Sequence, residues 1–240
     1  MISSLSYIFR IFVAGGYTLA NIAALYTHEK LTGKDVFYGY AKHWAQMMLR
    51  CAGVKLQVLR ETEKSVPDSC IYVCNHLSLL DAPSLIAALP QGVRFMYKQE
   101  IERTPVFGTA LARSPYIAVN RDSPREAAAS FYQAAKDIAG GSSALLFPEG
   151  TWSPDGALLP FKRGALLMAL RADKPIVPLA IWGTQFAFPP EKYRFFGGNV
   201  VVCIGEPIYP SDIIAGVNEQ IIVASIREKI EALTEKCRRK

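Results

Sequence analysis

CIYVCNHLSLLDAPSLIAAL, residues 70–89, is the stretch from which the rest of the chain can be read. Cys70 to Cys74 is a compact apolar run of strand length. Asp81 to Leu89 has helical apolar spacing, with Pro83 tolerated in the first turn. A buried strand that passes through a short link into a helix is the repeating unit of an α/β sheet.

The same alternation continues on both sides. Upstream, Val54 to Val58 alternates like a strand, preceded by a helix from Val36 to Ala52 that Gly53 is placed to stop. That helix carries Tyr40, Trp44, Met47, Met48 and Cys51 at helical spacing, which predicts a core-facing stripe. Downstream, strands are predicted at 93–97, 116–119, 144–147, 176–182 and 199–204. Helices are predicted at 105–112, 124–139 (ended by Gly140 and Gly141), 164–171 and 219–237. The last has Ile222, Ile226, Ile230 and Leu233 on one stripe. The expected fold is α/β: a single mixed or mostly parallel sheet flanked by helices, preceded by N-terminal membrane-associating helices. No internal repeat or linker divides off a second globular domain.

The N-terminal expectation rests on Leu5 to Tyr26, an apolar run interrupted by one charge, Arg10. Its length is compatible with a bilayer span. Arg10, Asn21 and the Gly15–Gly16 pair fit a helix lying partly in one leaflet better than a clean span, and spanning against monotopic stays open. A signal peptide or a buried helix are the remaining alternatives. Half of the 240 residues are hydrophobic, which excludes a disordered chain, and the mean hydropathy of +0.15 is high for a soluble enzyme. The net charge of +6, with Lys236, Arg238, Arg239 and Lys240 clustered at the end, suits anionic lipid or phosphorylated substrates. Zinc-finger spacing, RNP-like aromatics and a long basic helix are all missing, so no nucleic-acid partner is expected. The five cysteines are odd in number and mostly flanked by apolar residues, so they are expected to be free thiols rather than metal ligands.

Of the three histidines, only His76 follows a buried-looking strand, at the junction where α/β sites concentrate. Asp81, five residues on, either accepts the Nδ1 proton and leaves Nε2 as a base, or simply caps the helix; spacing alone leaves both open. A second constellation is FPEGTWS (147–153) with FKRGA (161–165). Glu149 is the acid near the strand end, Gly150 marks turn backbone, and Lys162 and Arg163 stand before a helix as phosphate ligands or as a solvated basic turn. A third is Lys98 with Arg121 and Asp122. Arg121 is either a phosphate fork or half of a surface ion pair.

Taken in order, these blocks resemble the glycerolipid acyltransferase family, whose best-known members convert 1-acylglycerol 3-phosphate to phosphatidic acid. NHLSLLD is similar to the family's first block and Lys98 through Pro105 and Gly108 to Arg121 to its second. FPEGTWS with FKRGA is similar to the third and Val177 to Ile181 to the fourth. The resemblance implies a membrane-associating segment at 1–52 and an acyltransferase domain at 53–240. It implies His76 as general base oriented by Asp81, and Asn75, Lys98, Arg121, Glu149, Gly150, Thr151, Lys162 and Arg163 as substrate-binding residues, with Val177 to Ile181 as wall and scaffold. The implied partners are a lysophospholipid, membrane lipid, and an acyl thioester carried by coenzyme A or acyl-carrier protein as cosubstrate. No cofactor or metal is implied, and the site is expected on a membrane, facing the cytoplasm. One residue departs from the pattern: Trp152 stands where phosphatidic-acid-forming members commonly have Arg, which puts the acceptor in doubt.

Overall fold

The computed structural model describes residues 4–61, 65–153, 155–192, 194–212 and 218–240. Its centre is β2 (Ile71–Cys74), buried along its whole length because helices cover both faces of the sheet. The other strands are β1 (Val54–Arg60), β3 (Val93–Lys98), β4 (Ile117–Val119), β5 (Ser143–Leu146), β6 (Ile176–Trp182) and β7 (Gly198–Ile204). They lie in the order β1-β7-β6-β2-β5-β3-β4. Pairings from β6 through β2, β5 and β3 to β4 are parallel. β7 runs antiparallel to β6, and β1 runs with β7. The sheet is therefore mixed and mostly parallel, as the alternation predicts.

Strand direction fixes where the site can be. The carboxyl ends of β2, β5 and β6 share one edge of the sheet, the edge at which open α/β sheets bind ligands. Because β1 and β7 are reversed, their amino ends, Val54 and Gly198, come to that same edge.

On one face, α2 (Phe37–Ala52) and α3 (Asp81–Ala88) cover a cluster that includes Tyr72, Leu85, Leu145, Leu179 and Ile181. On the other, α5 (Pro124–Ala139), α6 (Gly164–Ala172) and α8 (Glu219–Arg238) cover Ile71, Val73, Ala144 and Ile176. Each fully buried Leu or Ile contributes about 1.5–3 kcal/mol. Two short helices, α4 (Phe107–Ala112) and α7 (Thr184–Ala187), complete the set.

Two expectations change, that for the stripe on α2 and that for the cysteines. Of the stripe on α2 only Met48 is buried, together with Ala45, Leu49 and Ala52 from outside it. Trp44 instead donates to Thr18 Oγ1 at 3.0 Å and Tyr40 meets His28, both on α1 (Ser4–Thr32), so the stripe is the seam between the two helices. α1 leaves Phe9, Phe12 and Leu19 exposed, yet among the described residues no helix is long and apolar enough to cross a membrane. Finally, Cys203 on β7 and Cys237 on α8, Cα atoms 6.2 Å apart, form a disulfide. Cys51, Cys70 and Cys74 are free, as expected. The pairing depends on α8 lying across β7, which no local sequence pattern reports.

Candidate active site

Asn75 follows the last residue of β2, and its side chain imitates one more rung of the sheet. Its Nδ2 donates to Ile181 O at 3.0 Å and its Oδ1 accepts from Ile181 N at 2.8 Å. With Asn75 fully buried, both amide functions are committed to β6 backbone. The chain then leaves the sheet with His76 at its edge, the imidazole 18% exposed.

Asp81 decides between the two readings of its spacing. It opens α3, but its carboxylate turns back toward the loop that precedes it. Oδ2 lies 2.7 Å from His76 Nδ1 and accepts from the amides of Leu77 (2.6 Å) and Ser78 (2.9 Å). Oδ1 accepts from the Thr184 hydroxyl. Two of these donors are backbone N–H groups, so the carboxylate is an acceptor here, Nδ1 carries the proton, and Nε2 presents its lone pair. Asp81 is wholly buried, and these donors take the place of its water. Helix capping is not its role: its backbone donors precede α3.

The loop after β5 holds His76 from the other side. Glu149 Oε1 accepts from His76 N and Oε2 from Leu159 N, each at 2.8 Å, while Ser153 N donates to His76 O at 2.8 Å. The first and third sequence blocks are thus bonded to each other through the main chain of His76. Burial pushes the Glu149 carboxyl above its usual range, opposed by those two amides and by charge on His76. The ring of Phe147 stacks on the imidazole (centroids 4.0 Å, planes 14° apart), and Trp152 meets it edge-on at 6.1 Å.

Two of the cations converge on Gly150. Arg121 donates through Nη1 to Gly150 O. Lys162 lies over the glycine itself: a Cβ there would sit 2.8 Å from Lys162 Nζ, and φ is +76°. The left-handed φ is what favours glycine here, since the end of Lys162 is free to shift. Lys98 lies at the end of β3, next to β4, and pairs with Glu100 at 3.4 Å. Arg163 is turned away, toward Glu219 on α8 at 3.3 Å. Thr151 is exposed between Gly150 and Trp152. Val177 to Ile181 form the buried interior of β6. Thr184 and the stacking role of Phe147 were not among the expected site residues. Phe147 stood in a quoted block, whereas Thr184 lies beyond the fourth block with nothing local to mark it.

A family model described as acyltransferase matches residues 57–182, from β1 to the end of β6 and over half of the chain. The chain belongs to the acyltransferase family. Among its relatives is the chloroplastic 1-acyl-sn-glycerol-3-phosphate acyltransferase BAT2 of Brassica napus, 36% identical over 59% of this chain and 41% of that protein. The 1-acyl-sn-glycerol-3-phosphate acyltransferase of Cocos nucifera is 34% identical over 59% and 46%. The matches thus span less than half the length of these two relatives. The crystal structure of the 1-acyl-sn-glycerophosphate acyltransferase PlsC from Thermotoga maritima shares the fold, with a TM-score of 0.81 at 23% identity over 98% of this chain and 96% of that one.

Proposed function

We propose that the chain transfers a fatty acyl group from an acyl thioester to the hydroxyl of a lysophospholipid, foremost 1-acylglycerol 3-phosphate, giving phosphatidic acid. The observation that carries this reading is the buried Asp81 carboxylate on Nδ1 of His76, which leaves Nε2 as a base beside the cations at Gly150. Nε2 takes the hydroxyl proton as the oxygen attacks the thioester carbonyl. The C–O ester bond forms, the C–S bond breaks, and the imidazolium returns the proton to the departing thiolate. Base catalysis of this kind contributes about 10²–10⁴-fold, and holding both substrates adds a proximity effect. In this reading Arg121 and Lys162 take the acceptor phosphate. Asn75 and Glu149 position His76 rather than touch substrate. The donor is acyl-CoA or acyl-carrier protein, and the apolar side chains exposed on α1 hold the site at a membrane surface that faces the cytoplasm.

A second acceptor class, a lyso-aminolipid or glycolipid, is favoured by Trp152, whose ring puts an apolar face beside His76. One experiment separates the two. Purified protein is given a single acyl thioester and a panel of lysolipids. Preference for lysophosphatidate supports the first reading, and a non-phosphate acceptor used faster overturns it.

A further inference from the structure

The connection from α7 to β7 has two faces with different work. Inward, it supports the dyad: Thr184 donates to Asp81, and Phe188 O accepts from the Ser78 hydroxyl at 2.6 Å. Phe188 and Phe195 pack together at 5.1 Å against the core. Outward, it exposes Phe186 (62%) and Phe196 (47%). Lys192 Nζ and Arg194 Cζ lie 5.7 and 5.9 Å from the Phe196 ring centre. Next along the chain from Ser78, Leu79 is exposed as well, although Leu77 and Leu80 beside it are buried.

At its Phe196 end this connection meets α1, while Phe186 packs edge-on to Trp182 at 5.7 Å. A Cβ on Gly53 would lie 3.0 Å from Arg10 Nη1 and 3.6 Å from Gly197 Cα, so Arg10, the start of β1 and the residue after Phe196 meet at one point. Phe9 and Phe12 flank Arg10 on α1 and are both exposed. The reversed direction of β1 and β7 brings this point to the edge of the sheet where His76 stands.

We propose that the outward side chains of this connection form a second lipid contact, with Phe186 and Phe196 entering the interfacial layer of an anionic membrane and Lys192, Arg194 and Arg10 meeting headgroup phosphate. The proposal rests on the membrane reading of α1 given above. Exposed aromatic rings flanked by Lys and Arg are the chemistry of a bilayer interface. A soluble acidic carrier protein would be met by the cations, and two large exposed rings are not what its surface charge asks for. In the bound orientation the membrane lies against the rim of the site, so an acceptor reaches Nε2 without crossing water.

The test is vesicle sedimentation of the full chain with phosphatidylcholine alone and with phosphatidylglycerol added, paired with acyl transfer to a short-chain, water-soluble lysolipid and to a long-chain one in vesicles. Phe186→Ser with Phe196→Ser should weaken vesicle binding about tenfold. It should lower turnover of the vesicle substrate by a similar factor and leave turnover of the soluble one unchanged. Lys192→Glu, an exposed change that spares the rings, should weaken binding to the anionic vesicles only. Wild-type vesicle affinity in both variants overturns the proposal, as does wild-type protein that ignores vesicles and binds an acidic carrier protein through Lys192. Protein that binds vesicles through these residues yet acylates no lysolipid overturns the acyl-transfer reading and leaves this surface standing.

Discussion

At the His76 half of the site the polar groups are buried and end on one another or on backbone; at the Gly150 half the cations lie at the surface, on carboxylates, on the Gly150 carbonyl or over Gly150 itself. Asp81, Asn75 and Glu149 are buried and hold main-chain groups of Leu77, Ser78, Ile181, His76 and Leu159. Arg121, Lys162, Lys98 and Arg163 stand on long exposed side chains. The first half has one geometry, suited to a proton transfer that tolerates little misplacement. The second adapts its reach to the ligand and works through charge, so it is weakened by salt. In such a site the reaction is built into the fold, and the choice of acceptor into the surface.

Breaking the rigid half should have the largest effect. Asp81→Asn removes the acceptor for Nδ1–H and should lower kcat by about 10²–10⁴-fold with little change in KM for either substrate, measured by steady-state acyl transfer. Arg121→Ala tests the other half. It should raise KM for a phosphate-bearing acceptor by about 30-fold while kcat stays close to wild type, and added salt should shrink the difference. Thr184→Val should lower kcat about tenfold by leaving Asp81 Oδ1 without its hydroxyl donor, and Thr184→Ser should restore it. A Val variant that lost only stability, with full kcat at low temperature, would place Thr184 outside the rigid half.

Glu149 gives a pH test. Its folded carboxyl lies above the ordinary 4.5, so the fold favours the protonated form. That contribution is complete below 4.5 and is lost as pH rises through the folded value. Glu149→Gln, measured by thermal unfolding, should therefore show a flatter loss of stability with rising pH in that window than wild type. The smallest effect belongs to Arg163. Its partner is Glu219, so Arg163→Ala should change KM by about twofold at most.

The contrast between the halves also explains what the sequence could tell. Alternation of apolar runs placed every strand of the sheet and the helices between them except the short α7, because burial on both faces leaves a period that can be read locally. His76 and Asp81 were legible because both stand on a single strand–loop–helix unit. The Asp81–Thr184 bond joins residues 103 apart and the Asn75–Ile181 clamp joins residues 106 apart. Such partners are set by strand order, and the sequence left that order open between mixed and mostly parallel. Asn75 and Glu149 were expected to bind substrate, but their hydrogen bonds run to backbone, which carries no side-chain signature. Arg163 shows the opposite failure: beside Lys162 in sequence, it points to another helix in space.

The reversed outer strands also have a consequence for how the molecule comes into being. β1 is made early, but its one neighbour in the sheet, β7, begins only at residue 198. While the chain is being synthesised, β2 to β6 can pair with one another in the meantime, and β1 stays an open edge. The sheet is thus completed only when β7 arrives between β6 and β1, the last of the strands to be made.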